Sequence, residues 1–220
     1  MPPILLRAIS GLCRAAACLA LAACAAPPPA QLYVLSPSSQ DQVLALAPAA
    51  ASGTGRGAPA AAGRATSLLI GVAVSVPEYL DRPEIVQRSS PNEIKPVYSA
   101  LWGESLTVAT TRAMTENLTA LLPMDDVLML PSRSTKSFDY QVNLDLYRFE
   151  TDPSGRSIVT GRWSITDMSG IEQASGRVSH LEPVDGTGNA AVAAAMSRNL
   201  AAVSDEISVA VRKLPPPRRL

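Results

Sequence analysis

Histidine occurs once in this chain and cysteine three times, and each scarcity excludes chemistry. A lone His180 cannot complete a metal site or a catalytic triad that needs two imidazoles, and its place after a weak strand reads as a surface position. Cys13 and Cys18 fall in the leader described below, so Cys24 is the only cysteine of the mature chain. No disulfide can then form, and core packing must stabilise the fold. An excess of one charge is lacking too. The 19 basic and 19 acidic residues leave no electrostatic footprint for nucleic acid. There is no P-loop, and Gly53, Gly55 and Gly57 imitate a phosphate-binding loop only superficially, because they precede a strand instead of joining a strand to a helix. Asp125 and Asp126 are adjacent on extended chain, where neighbouring side chains point apart, so they read as a helix-to-strand turn rather than a catalytic carboxylate pair. Trp102 and Trp163 read as core residues or helix staples. No catalytic residue, cofactor or metal is expected.

What is present begins with Leu21-Ala22-Ala23-Cys24. Arg7 and Arg14 supply a positive n-region, and Ala15 to Ala23 an apolar run too short to span a bilayer as a helix. Together they read as a lipobox, cut before Cys24 and acylated on its sulfur. A plain secretory signal and an Ala-rich core helix are the competing accounts. Leu, Ala and Ala in the three positions ahead of the cysteine, and Ala/Pro-rich sequence after it, favour the lipobox. On this reading 1–23 is a signal peptide and 24–30 a tether stiffened by Pro27-Pro28-Pro29. The mature chain keeps 197 residues, 17 basic and 19 acidic, enough for one domain with a real core. Acyl chains contribute about 0.8 kcal/mol per buried methylene, and two or more make attachment durable.

The domain is expected over 31–214. Gln31 to Ser36 has strand character and stops at Pro37. Between 45 and 65 lie ten alanines, four glycines and two prolines without apolar periodicity, which predicts a flexible insertion. If Leu32 is docked, residues 25–31 reach at most about 20 to 25 Å and the domain stays close to its membrane; the competing view makes everything from 25 to 66 a tether. Leu68 to Ser75 reads as a central strand, with Gly71 marking close backbone approach or a bulge. Four prolines from Pro77 to Pro96 punctuate two short strands, Glu84 to Arg88 and Glu93 to Tyr98, which predicts an edge hairpin or extended loop pair. Leu101 to Leu122 changes to helical period and Pro123 stops it. Val127 to Leu130 is a short strand, and Phe138 to Leu146 alternates apolar with polar residues. Ile158 to Thr166 returns as a strand after the turn at Asp152 to Gly155, and Ile171 to His180 is a weaker one. Val192 to Leu214 forms a second helical stripe, ended by three prolines, with 215–220 a disordered basic tail.

These elements make an α+β fold, a two-layer sandwich of a largely antiparallel or mixed sheet with two amphipathic helices on one face. The other face, or the Pro-rich edge, is left to partners.

Leu32-Tyr33-Val34-Leu35, the stretch Pro77-Glu78-Tyr79-Leu80-Asp81-Arg82-Pro83-Glu84-Ile85-Val86, Trp102-Gly103-Glu104-Ser105-Leu106 leading into Glu116-Asn117-Leu118, and Gly161-Arg162-Trp163 together resemble the PqiC-type ABC-transport auxiliary lipoprotein family. The resemblance runs from the lipobox nearly to Leu214. Its most specific piece is Tyr79 to Pro83, and the insertion at 45–65 departs from the family pattern by its length. The resemblance implies a non-enzymatic, lipid-anchored periplasmic accessory subunit of an MCE-type system that moves lipids or organic compounds between membranes. Its partners would be an MCE-domain periplasmic protein with an associated membrane permease and ATPase, docked or scaffolded in support of outer-membrane integrity. Ala25 rather than Asp after the cysteine implies, by resemblance to enterobacterial lipoproteins, the periplasmic face of the outer membrane. A lipid-binding carrier and a general outer-membrane assembly lipoprotein are the alternatives. A homo-oligomer stays open, since no residue pattern predicts one.

Tyr79, Asp81, Arg82 and Pro83 are the candidate partner-binding residues. Pro77 and Pro83 restrict the backbone, Tyr79 offers an amphipathic surface, and Arg82 can fork onto a partner's carboxylate or carbonyl. The more usual structural account has Asp81 capping a turn and Arg82 paired within the domain.

Overall fold

The computed structural model describes residues 29–37, 67–132 and 137–216. The leader, Cys24, the insertion at 45–65 and the end of the basic tail lie outside these residues. From Gln31 onward the chain forms one unit of two layers. Its strands are β1 (Gln31–Tyr33), β2 (Leu69–Ser75), β3 (Glu84–Ser90), β4 (Glu93–Trp102), β5 (Asp126–Met129), β6 (Tyr140–Thr151), β7 (Arg156–Asp167) and β8 (Glu172–Pro183). The helices are α1 (Leu106–Leu121) and α2 (Gly188–Val211).

β6 organises the mixed sheet. Along one edge it pairs antiparallel with β7, which pairs antiparallel with β8. Its other edge is shared: β2 runs parallel to residues 140–145, with β5 beyond it, while β3 meets its end at Gln87 and Thr151. β4 pairs with β3 and β1 runs parallel to the last residues of β4.

The alternation along β6 sets the register. Tyr140, Val142, Leu144 and Leu146 are buried, and the pairings Val142 to Ile165 and Leu144 to Trp163 place the inward residues of β7 on the same face. α1 starts where the Ser105 hydroxyl accepts a hydrogen bond from the Val108 amide at 3.3 Å. It buries Leu106, Ala113, Met114 and Leu118; α2 buries Met196, Leu200, Val203 and Ile207, and all join one core. Between the helices Asn117 donates to the Ser204 hydroxyl at 3.2 Å, and Ser204 donates to the Leu200 carbonyl at 2.7 Å. The buried polar atoms of this seam are thereby paired.

The structure departs from the sequence reading in three places. Leu101 and Trp102 end β4 instead of starting α1, because they pair with Leu32 and Tyr33 and the helix waits for the Ser105 cap. β3 and β4 do form the expected antiparallel hairpin, with Pro77 and Pro83 outside it and Pro96 on the part of β4 that β1 does not cover, but the hairpin is not the outermost element: β1 covers Ala100–Trp102 and β3 meets β6 at Gln87 and Thr151. His180 is half-buried rather than a surface residue, with Nε2 2.9 Å from Glu206 Oε1 of α2. Gly71 does mark close approach. A Cβ there would lie 2.8 Å from Leu130 Cδ1.

Candidate functional site

The loop 77–83 links β2 to β3, and its shape follows from its own short-range bonds. Leu80 N–H donates to the Pro77 carbonyl at 2.9 Å, and Arg82 N–H to the Leu80 carbonyl at 2.9 Å. Leu80 is buried, and the Pro83 carbonyl accepts from Trp102 N–H at 2.7 Å. The loop is therefore tied to the core at both ends.

Its polar pin is Glu150. A register shift between Leu146 and Arg148 marks a bulge at Tyr147, after which Phe149 faces the core and Glu150 the helix-free side. Glu150 is nevertheless fully buried, because it accepts hydrogen bonds from Arg88 Nε, from Arg148 Nε at 3.0 Å and from the Tyr79 hydroxyl at 3.0 Å. Arg88 also donates to the Pro91 carbonyl at 2.8 Å, so one carboxylate gathers β3, β6 and the loop. Burial, reinforced by the negative charge of Glu150, raises the Tyr79 phenol above its ordinary range, and the phenol stays a donor. The Glu150 hydrogen bond raises Arg88.

The structure places the four sequence-chosen residues on one short arc but in different roles. Tyr79 faces Glu150. Asp81 Oδ1 accepts from the Thr107 N–H at 3.1 Å, filling one of the orphan donors at the start of α1, where a negative charge also suits the helix dipole. Arg82 Nε lies 2.8 Å from Glu84 Oε2, an interaction that raises the guanidinium and lowers the carboxyl. Pro83 is exposed. The arc thus contains intradomain bonds for Asp81 and Arg82, while 37% of the Arg82 side chain stays open. Tyr98 on β4, 74% exposed, lies in the neighbourhood of Arg82. Cys24, the lipidation candidate, lies outside the described residues.

Sequence reasoning missed Glu150, Arg88 and Tyr98. The apolar period slips from Leu144 and Leu146 to Phe149, and that break was the available signal for a bulge and for an outward Glu150. Chemically the arrangement holds a rigid arc and presents an arginine, a proline and a tyrosine. Arginine and tyrosine are among the residue types that dominate protein interfaces. Among the described residues no group of three or more metal-ligating side chains occurs, and no helix is long and apolar enough to cross a membrane.

The model of a family described as the ABC-type transport auxiliary lipoprotein component matches residues 49–208. A comparison with curated proteins found no match. Among solved structures, protein XCC0632 from Xanthomonas campestris, assigned to the DUF330 family, is 23% identical; the match covers 72% of this chain and 91% of that one at a TM-score of 0.58. A crystal structure described as an uncharacterized protein is 20% identical, covering 66% and 92% at a TM-score of 0.59. Both share the fold.

Proposed function

Because this chain belongs to the ABC-type transport auxiliary lipoprotein family, we propose that it is a lipid-anchored adaptor that docks an MCE-domain periplasmic protein and its permease and ATPase. Acylated Cys24 fixes it to the periplasmic face of the outer membrane, and the short tether keeps the domain near that surface. The domain over 31–214 performs no chemistry; it supports a continuous path for lipids or organic compounds between two membranes.

One observation supports the docking role most. Leu80, Tyr79 on Glu150 and Asp81 on α1 immobilise the arc, so Arg82 and Pro83 meet a partner beside exposed Tyr98 with little ordering left to do. Arg82→Ala tests it. Co-purification with the MCE partner should fall while thermal stability holds, and crosslinking in intact cells should trap that partner through the wild-type arc only. Lost stability with intact association would return Arg82 to a purely structural role.

A further inference from the structure

The segment around β1 hides one face and bares the other. Leu35 is fully buried, whereas Leu32 and Val34, two positions apart on extended chain and so on the same side of it, are 70% and 55% exposed. Both open onto a groove of about 450 Å³ between this segment and the first turns of α2, where exposed Ala190 and Ala194, one helical turn apart, form the opposite wall. Its hydroxyls and amides already have partners. Ser36 N–H donates to the Ser197 hydroxyl at 3.1 Å, and that hydroxyl donates to the Ala193 carbonyl at 2.8 Å.

Charge avoids this place. No Asp, Glu, Lys or Arg occurs between Cys24 and Asp41, and none occurs between Asp185 and Arg198. These two uncharged stretches are far apart in the chain, and the fold lays them side by side. Arg198 is the only charged residue lining the groove, and it is held by Glu182 at 3.2 Å, the Pro183 carbonyl at 2.6 Å and Asp185 at 3.3 Å. An apolar face kept free of charge by two separate segments has the character of a contact surface. What meets it follows from the course of the chain: Leu32 comes directly after the tether, and residues 25–31 span at most about 20 to 25 Å from Cys24.

We propose that Leu32 and Val34, with Ala190 and Ala194 of α2, rest in the boundary between headgroups and acyl chains of the leaflet that holds acylated Cys24. The inference rests on the acylation proposed above and adds which face of the domain meets the lipid. Two apolar side chains hold weakly alone, but an anchor within reach makes each contact intramolecular, so a weak one suffices. Because the face carries no unpaired charge, zwitterionic lipid is enough and salt does not release it. Tyr33 pairs with Trp102, whose N–H donates to the Pro83 carbonyl, so seating this face also sets the height of the arc above the leaflet.

The test places one fluorophore. With the Cys24 sulfur acylated, Val34→Cys carries the only free thiol of the mature chain. The full lipidated chain is labelled there with a nitrobenzoxadiazole dye in vesicles of phosphatidylcholine and phosphatidylethanolamine. Emission should shift to the blue, lipids brominated on the acyl chain should quench it, and concentrated salt should leave both unchanged. The same label at Met168→Cys, a 60% exposed position in the turn after β7, should report water. Leu32→Asp should return the residue-34 label to water; Ala194→Asp does the same from the helix side should the strand variant loosen β1, with circular dichroism checking both. Blue emission that brominated lipid does not quench means that protein, a second copy or another part of this chain, covers the face, and it overturns the proposal. A wild-type chain that does not float with the vesicles overturns the anchor and this proposal together, whereas one that floats with residue 34 in water overturns this proposal alone.

Discussion

The β6–β7–β8 meander and the proline-bounded arc at 77–83 sit on the same strand, β6, yet are held by different forces. The meander buries Val142, Leu144, Phe149, Val159 and Ile165 beneath two helices, an area term that salt leaves almost unchanged. The arc buries Leu80 and otherwise depends on a carboxylate, two guanidiniums and a phenol. Apolar burial is tolerant of direction, whereas charge-assisted bonds fix geometry, so the meander supplies stability and the arc supplies shape.

The comparison breaks most visibly at Phe149, 1% exposed on the core side of the bulge. Phe149→Ala should cost about 3 to 5 kcal/mol in urea unfolding and lower stability everywhere, arc included. Glu150, its neighbour in sequence, gives the contrasting case. Glu150→Gln strands Arg88 and Arg148 and should cost about 3 kcal/mol. Its distinguishing mark is local: amide exchange should accelerate first at residues 77–83 while the helices stay protected.

A smaller effect sharpens the contrast, because the meander has one polar pin of its own. At the β6–β7 turn, Asp152 accepts from the amides of Ser154 and Arg156 and from the Arg156 guanidinium. Burial opposes its ionisation, but these bonds win and lower its pKa to about 2. A folded pKa below the unfolded value gives stability that is present above about pH 4 and is lost as pH falls towards 2. The shift amounts to about 2 kcal/mol, and acid titration of Asp152→Asn should lack that part of the slope. Least of all should Arg82→Ala move stability: its thermal melt should overlay that of the wild type, since its ion pair with Glu84 is solvent-screened.

The same contrast explains what was legible in advance. Tyr140 to Leu146 alternates strictly and both helices carry a one-sided stripe, so the two layers followed from period alone. Sequence alone draws Trp102 into the helix because a single aromatic does not report period; its pairing with Tyr33, 69 residues earlier, puts it in β4. The arc was found as a segment but not as a mechanism. Glu150 resembles any strand-end carboxylate until the bulge turns it under Tyr79, and His180 resembles a surface imidazole until α2 brings Glu206 to it. Gly176 is silent in sequence for the same reason: the Trp163 ring it accommodates comes from another strand.

β1 has a mechanical consequence. Its three residues run beside Ala100–Trp102, and Gly103 N–H closes the ladder on the Tyr33 carbonyl at 2.8 Å. Any pull on the chain ahead of Gln31 loads this short zipper before it reaches the core. The zipper would peel first under tension while the folded body stays intact.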